Sequence, residues 1–349
     1  MAPPDPAAFD PDDSVGLALK LVRHLAGSVG EIEVAEGPDR YSGGMDTYVY
    51  AIRFSGDLPP GWRSPLVLRI YPSSEQIQKA EREAKIQRFV ADQGFPAPRP
   101  LLLDTSCEPF GLPFMLMERA PGLNAVDRFR NPLNIRSTIR AMATLQARLH
   151  SLPIDGCPLP YESPLVDRWL APSRDLIQRY HPPGLDPHLA WLEEHASIVR
   201  DEAVALTHND FHPLNIQVEG EQMSLLDWPD AALGDRHCDV GRTLAVFWLA
   251  APLEKSLVAR SVLRLLRRYI VPLYTREYRR HLPLDDRRLH YWQALHAFKN
   301  VVQFAVLRQE GEAALGARPG VLAEVPPSLA RAIDDYFQRR VSMIESSAG

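Results

Sequence analysis

The sequence predicts an α+β protein of two lobes, a smaller β-rich lobe with one helix followed by a larger, mainly helical one. Three observations carry this. The chain has 349 residues, more than a single hydrophobic core of roughly 250–300 residues accommodates. Its first third alternates apolar and polar side chains in the manner of strands. Most of the remainder spaces its apolar residues at helical intervals. The division is placed at residue 120, beside the turn-forming Ala120-Pro121-Gly122. This gives a disordered tail over 1–14, a nucleotide-binding lobe over 15–120 and a helical lobe over 121–349 that carries the catalytic loop and acceptor site.

In the first lobe Ile32 and Val34 alternate, as do Tyr48, Tyr50 and Ile52, and residues 66–71 form a compact apolar run. Between the first two of these strands lie Gly43 and Gly44, whose missing Cβ atoms permit turn conformations closed to other residues. Residues 74–92 read as a helix that Gly94 stops. The prolines of 95–100 impose an extended path, and 113–117 reads as a further strand. In the second lobe helices are expected over 135–149, 189–203, 240–249, 253–274, 289–309 and 328–344. One β-hairpin interrupts them, Ile216-Gln217-Val218 against Met223-Ser224-Leu225-Leu226, with a Glu219-Gly220 turn region.

Composition narrows the function. At 45% hydrophobic and 24% charged residues the chain is an ordinary globular protein. A net charge of -5 lacks the basic footprint of a nucleic-acid binder. Three scattered cysteines, with no CxxC pair, make neither a disulfide framework nor a zinc knuckle and favour a reducing compartment. The amino terminus has no signal-peptide pattern, and the longest apolar run, 244–253, is too short for the roughly 20 residues that cross a bilayer. A cytoplasmic protein with neither membrane nor nucleic acid as partner is expected.

The chemistry concentrates in Thr207-His208-Asn209-Asp210-Phe211-His212-Pro213-Leu214-Asn215, the hairpin after it, and Asp227-Trp228. Residues flanking the two strands of an antiparallel hairpin lie side by side at its open end, so Asn215 and Asp227 are expected to converge. A carboxylate and an amide oxygen suit Mg²⁺, which takes a few protein oxygens and completes its shell with water and phosphate. Asp210, on the loop feeding the hairpin, is placed to accept a proton from an incoming hydroxyl. From 201 to 240 there are nine acidic residues against one basic, a local field suited to cations, whether Mg²⁺ or an aminated substrate.

The spacing His-x-Asp-x-x-x-x-Asn, followed a dozen residues on by Asp, resembles the catalytic and metal loops of the protein-kinase-like superfamily. With Asp227-Trp228 in place of Asp-Phe-Gly, and with Leu233-Gly234-Asp235 and Asp239 beyond it, the chain looks like the aminoglycoside phosphotransferase/choline kinase branch over about residues 32–244. The resemblance implies a protein-kinase-like two-lobed fold whose first lobe is mainly antiparallel. It implies an enzyme that transfers the γ-phosphate of ATP or GTP, with Mg²⁺, to a hydroxyl of a small-molecule acceptor. It places the base at Asp210, the metal ligands at Asn215 and Asp227, and loop support at His208 and Asp239. It puts Gly43 and Gly44 over the phosphates, Arg69 where the pattern has Lys, and Glu83 as the partner of Arg69. The purine would lie against the backbone of Met117 to Arg119. Asp239 also reads as a cap for the helix beginning near Val240.

Two other functions compete. His208, Asp210 and His212 alternate and, on an extended strand, would face one way as a two-His-one-carboxylate site of a metal-dependent oxygenase or hydrolase. Arg69 in place of Lys also suits a non-catalytic nucleotide-binding module of the same fold.

Overall fold

The computed structural model of the protein describes residues 9–41, 47–161, 164–201, 203–254, 256–311, 314 and 327–346. The chain forms two compact units, Met1–Gly122 together with Ser224–Pro229, and Leu123–Met223 together with Asp230–Gly349. The first unit therefore takes back six residues that a linear division at residue 120 assigns to the second. Leu225 N–H donates to the Pro96 carbonyl at 2.8 Å, and the Trp228 ring stands edge-on to Phe95 with centroids 5.9 Å apart.

The first unit is built on helix α1 (Ser14–Val29), strands β1 (Ile32–Arg40), β2 (Tyr48–Gly56) and β3 (Leu66–Ile70), helix α2 (Ile77–Asp92), and strands β4 (Pro100–Asp104) and β5 (Phe114–Glu118). The sheet order is β1-β2-β3-β5-β4, with every neighbouring pair antiparallel. The central strand β3 is buried on both faces. Its even positions Leu66, Leu68 and Ile70 join Leu17, Leu21 and Leu25 of α1 in one core, while Val67 and Tyr71 pack with Ala80 and Ala84 of α2 in another. Because side chains alternate across a strand, Arg69 falls on the α2 face, and this places it opposite Glu83.

The expected tail does not extend through residues 9–14. Phe9 stacks edge-on against Tyr48 at 5.0 Å, the Tyr50 hydroxyl donates to the Pro11 carbonyl, and the Asp13 side chain caps α1 by accepting from Gly16 N–H. Residues 1–8 lie outside the described residues. Helix α1 was legible in the i, i+4, i+8 spacing of Leu17, Leu21 and Leu25, all buried, but no helix was expected before Glu31.

The second unit opens with β6 (Leu123–Asn124), α3 (Ala125–Arg128), α4 (Pro132–His150), α5 (Leu165–Tyr180), α6 (Asp186–Glu194) and α7 (Ser197–Arg200). It continues through β7 (Val204–Thr207), β8 (Ile216–Glu219), β9 (Gln222–Leu225) and β10 (Ala232–Asp235) to helices α8 (Arg236–Leu253), α9 (Leu257–Tyr278), α10 (Asp286–Glu310) and α11 (Pro327–Ser346). The single helix expected over 189–203 is two short ones followed by a strand. His195 turns its ring nitrogen onto the Trp191 carbonyl, and the chain then enters β7, whose antiparallel partner β10 lies some 25 residues downstream, pairing Thr207 with Ala232. Local periodicity cannot register a partner that distant. Where α8 meets α10, a Cβ on Gly241 would stand 2.9 Å from Trp292 Cβ, so glycine sets how closely these helices approach. Among the described residues no helix is long and apolar enough to cross a membrane.

Candidate active site

The loop leaving β7 is held from below by one carboxylate. Asp239, in the first turn of α8 and fully buried, accepts the backbone N–H groups of His208 at 3.0 Å and Asn209 at 2.8 Å. It also pairs with His150 Nε2 at 3.0 Å. With that nitrogen donating, His150 Nδ1 is left to accept from the Tyr278 hydroxyl at 2.7 Å. Burial alone would raise the Asp239 carboxyl, but the hydrogen bonds it accepts from His150 and from the His208 backbone hold it below the usual carboxylate range. The cap of α8 is Asp235, which accepts from His237 N–H at 3.0 Å. The capping role expected of Asp239 is thereby corrected: it lies in the first turn, past the cap, and braces the loop.

Asn209 sits in the left-handed region at φ 63°, a conformation Asn tolerates better than most residues. Its amide nitrogen donates to Thr207 Oγ1 and to the Asp230 carbonyl. This reversal separates His208 from Asp210: the His208 ring is buried, its Nδ1 accepting from Asp210 N–H at 3.3 Å, whereas the Asp210 side chain keeps 25% exposure. The extended strand required by a His208/Asp210/His212 metal site is absent here, and among the described residues no group of three or more His, Cys, Asp or Glu side chains is arranged to hold a metal. That expectation is overturned.

Both oxygens of Asp210 are engaged. Arg242 Nη2 donates to Oδ1 at 3.1 Å. Asn215 Nδ2 donates to Oδ2 at 3.0 Å, and His212 Nε2 lies 3.2 Å from the same oxygen. Burial would raise this carboxyl, but the His212 hydrogen bond and the Arg242 charge hold it far below the usual carboxylate range. Asn215 gives a second hydrogen bond to the Asp210 carbonyl, so its amide nitrogen is committed to the loop and its oxygen is left over.

In the first unit, Arg69 bridges two carboxylates. Its Nη1 is paired with Glu83, which is fully buried on α2, and its Nη2 reaches Asp227 Oδ1 at 3.2 Å. The Tyr71 hydroxyl donates to the other Glu83 oxygen at 2.9 Å. Burial alone would lower the Arg69 guanidinium; Glu83 and Asp227 more than offset it and hold the group up. Asp227 occupies the left-handed region at φ 66° with its side chain 42% exposed. The guanidinium expected to meet phosphate is therefore already bound to both acids, with Nε buried and without a hydrogen-bond partner among the described residues.

The remaining expected residues divide. Gly43 and Gly44 lie outside the described residues. Met117 is buried at the end of β5. The backbone N–H groups of Glu118 and Arg119 donate to the Arg99 and Pro65 carbonyls at 3.0 and 3.1 Å. The hinge contact expected from Arg119 is corrected to that extent: sheet formation has taken its N–H, and its guanidinium lies over the Tyr41 ring. Arg242, His150 and Lys299 were not anticipated. For Arg242 a signal existed: it follows Asp239 by three residues on one helix, so it shares a face with the side chain that braces the loop.

A β-rich unit carrying a buried strand-cation/helix-carboxylate pair, and a helical unit carrying a braced Asp loop, define the protein-kinase-like class of fold. Residues 40–284 match the Phosphotransferase enzyme family, and the chain belongs to that family. Among curated relatives it is 27% identical over 248 residues to mouse acyl-CoA dehydrogenase family member 10, covering 66% of this chain and 22% of that one. It is 25% identical over 261 residues to human acyl-CoA dehydrogenase family member 11, covering 68% and 31%. The chain thus spans only about a fifth to a third of the length of these relatives. Solved structures with the same fold include an aminoglycoside phosphotransferase APH(4)-Ia variant in complex with ADP and hygromycin B (TM-score 0.60, 16% identity, 91% and 98% of the two chains). Another is the amicoumacin kinase hAmiN with AMP-PNP, Ca²⁺ and amicoumacin (TM-score 0.60, 12% identity, 97% and 95%).

Proposed function

We propose that the protein transfers the γ-phosphoryl group of ATP or GTP to a hydroxyl of a small molecule, with Mg²⁺. The observation that carries this reading is Asp210: an ionised, partly exposed carboxylate fixed at both oxygens by Arg242, Asn215 and His212. A carboxylate held so far down is a poor base toward a free alcohol. Its value is positional: it accepts a hydrogen bond from the acceptor hydroxyl and aims the oxygen at phosphorus. It takes the proton as the new O–P bond forms, when that proton has become acidic. The bond between the γ-phosphorus and its bridging oxygen breaks, and the electron pair stays with the nucleoside diphosphate.

Asn215 and Asp227 are the groups we assign to Mg²⁺. Hydrogen bonding fixes the Asn215 amide, its oxygen making no hydrogen bond among the described residues, and Asp227 has one oxygen beyond the Arg69 contact; each by itself is a hard donor that suits this ion. When bound, Mg²⁺ supplies positive charge against the phosphate oxygens. The family and the nucleotide complexes of its structural neighbours support ATP-type co-substrates. A cytoplasmic location is proposed from the sequence, whose three scattered cysteines contain no CxxC pair.

The test is phosphoryl transfer by purified protein, followed by nucleoside diphosphate release, in the wild type and in Asp210→Asn. Turnover should fall by about 10²–10⁴-fold while titrated Mg·ATP affinity stays within a few-fold. Undiminished turnover in the variant overturns the reading.

A further inference from the structure

On the base side of the second unit, hydrogen-bond donors outnumber the acceptors available to them. Lys299 on α10 lies half-buried with Nζ 4.0 Å from the centre of the Trp169 ring, within electrostatic reach of Asp210, Asp230 and Arg242. Among the described residues it makes no hydrogen bond or ion pair, although an ammonium carries three donors and is costly to strip of water. Trp169 is itself buried, and its indole N–H has no hydrogen-bond partner among the described residues. Arg242 holds Asp210 through Nη2 alone. The close approach of α8 and α10 at Gly241 places Arg242 and Lys299 on helices packed against each other.

We propose that the acceptor carries an anionic group, a carboxylate or a phosphate, beside its reactive hydroxyl, and that Lys299 with Arg242 is the specificity determinant that receives it. This rests on the phosphotransferase reading and deepens it. A fixed ammonium over an aromatic face, next to a guanidinium with unused N–H groups, complements oxyanions. The same two cations repel an aminated acceptor. The acidic balance of residues 201–240 points the other way only because that window ends two residues before Arg242 and contains none of α10. Burial lowers the Lys299 ammonium, opposed by Asp230; an anionic acceptor would raise it again.

The probes are a matched series: glycerate and glycerol 3-phosphate as anions, glycerol as the neutral member and serinol as the cation. Each is assayed with Mg·ATP against wild type, Lys299→Gln and Lys299→Arg, and thermal melts verify folding. Transfer to an anionic member is expected to be preferred, with glycerate against glycerol 3-phosphate separating carboxylate from phosphate recognition. Lys299→Gln should raise KM for that anion by about 10- to 100-fold, well beyond any change it makes in KM for glycerol or for ATP. Lys299→Arg should restore most of the preference. Preference for glycerol or serinol, no transfer to either anion, an effect of Lys299→Gln that is equal for every acceptor, or an effect confined to ATP overturns the inference. In all of those cases, retained Mg·ATP binding and slow ATP hydrolysis leave the phosphotransferase reading standing; their absence in the wild type removes it.

Discussion

The two units each hold an array of opposite charges, and the arrays are built differently. In the first, Arg69 lies between Glu83 and Asp227, Tyr71 takes the remaining Glu83 oxygen, and the Arg69–Glu83 pair is buried. In the second, Asp210 lies between Arg242 and His212 with a quarter of its side chain exposed, and Lys299 nearby has no acceptor among the described residues. A closed, desolvated pair is costly to break because the surviving charge has nowhere to go. An open one loses little stability when changed, since water can replace the partner. Mutations in the buried Arg69–Glu83 pair should therefore act on folding, and those in the second array on turnover.

The largest effect expected is at neither array but at the carboxylate beneath the second. Asp239→Ala leaves the N–H groups of His208 and Asn209 and the ring of His150 without their acceptor. At about 1–3 kcal/mol for each buried unsatisfied donor, the loss is on the order of 5 kcal/mol. Urea unfolding should show it. A loss below about 1 kcal/mol would mean that water reaches the loop and that the second unit is not braced as described. Glu83→Ala comes next, at about 3–5 kcal/mol, reduced to the extent that Asp227 keeps Arg69 paired. If Glu83→Ala unfolds no earlier than Lys299→Gln, the contrast between closed and open arrays fails.

Gly241→Ala probes how the second array is assembled. The added methyl would meet Trp292 Cβ at 2.9 Å, and neither helix backbone can give way cheaply, so about 1–3 kcal/mol of destabilisation is expected. Because α8 carries Arg242 and α10 carries Lys299, a folded Gly241→Ala should also lose acceptor discrimination. Unaltered stability would show that the helices can separate without penalty.

The two arrays were unequally legible in the sequence. Arg69 and Glu83 were reached through the family resemblance; strand alternation, a local rule, explains why the structure brings them together on one face of the sheet. Asp210, Asn215 and Asp227 are held in a motif short enough to be recognised by spacing. What the chain concealed was what arrives from a distance. His150 meets Asp239 across 89 residues, and Trp169 lies under a lysine 130 positions later. Strand β7 required β10, some 25 residues downstream, so no strand was expected at 204–207. The charge count is limited for the same reason: charge near a site is set by which helices pack there, and a sequence window samples only one.

The smallest effect is the most diagnostic, because it separates charge from position. Arg242→Gln removes a pair whose two side chains are each 25% exposed, worth about 1 kcal/mol at most, so the melting temperature should barely move. Its consequence lies in titration. The Asp210 carboxyl is held down, against the cost of its burial, by His212 first and Arg242 second. A lowered carboxylate contributes stability that is fully present above the ordinary carboxylate range, about pH 4, and is lost only as pH falls through the depressed value. In the wild type, Asp210 therefore stays ionised through acidic assays and sets no acid limb in kcat/KM. Removing the Arg242 charge lets burial act, and the carboxyl rises toward its ordinary value or above it. In Arg242→Gln, Asp210 should then set the acid limb of kcat/KM and bring it to higher pH than the other groups that set it in the wild type, with activity lost progressively below about pH 5, while Arg242→Lys keeps most of the wild-type profile. A limb that stays put would show that His212 and Asn215 hold Asp210 without help, and Arg242 would then face the acceptor alone.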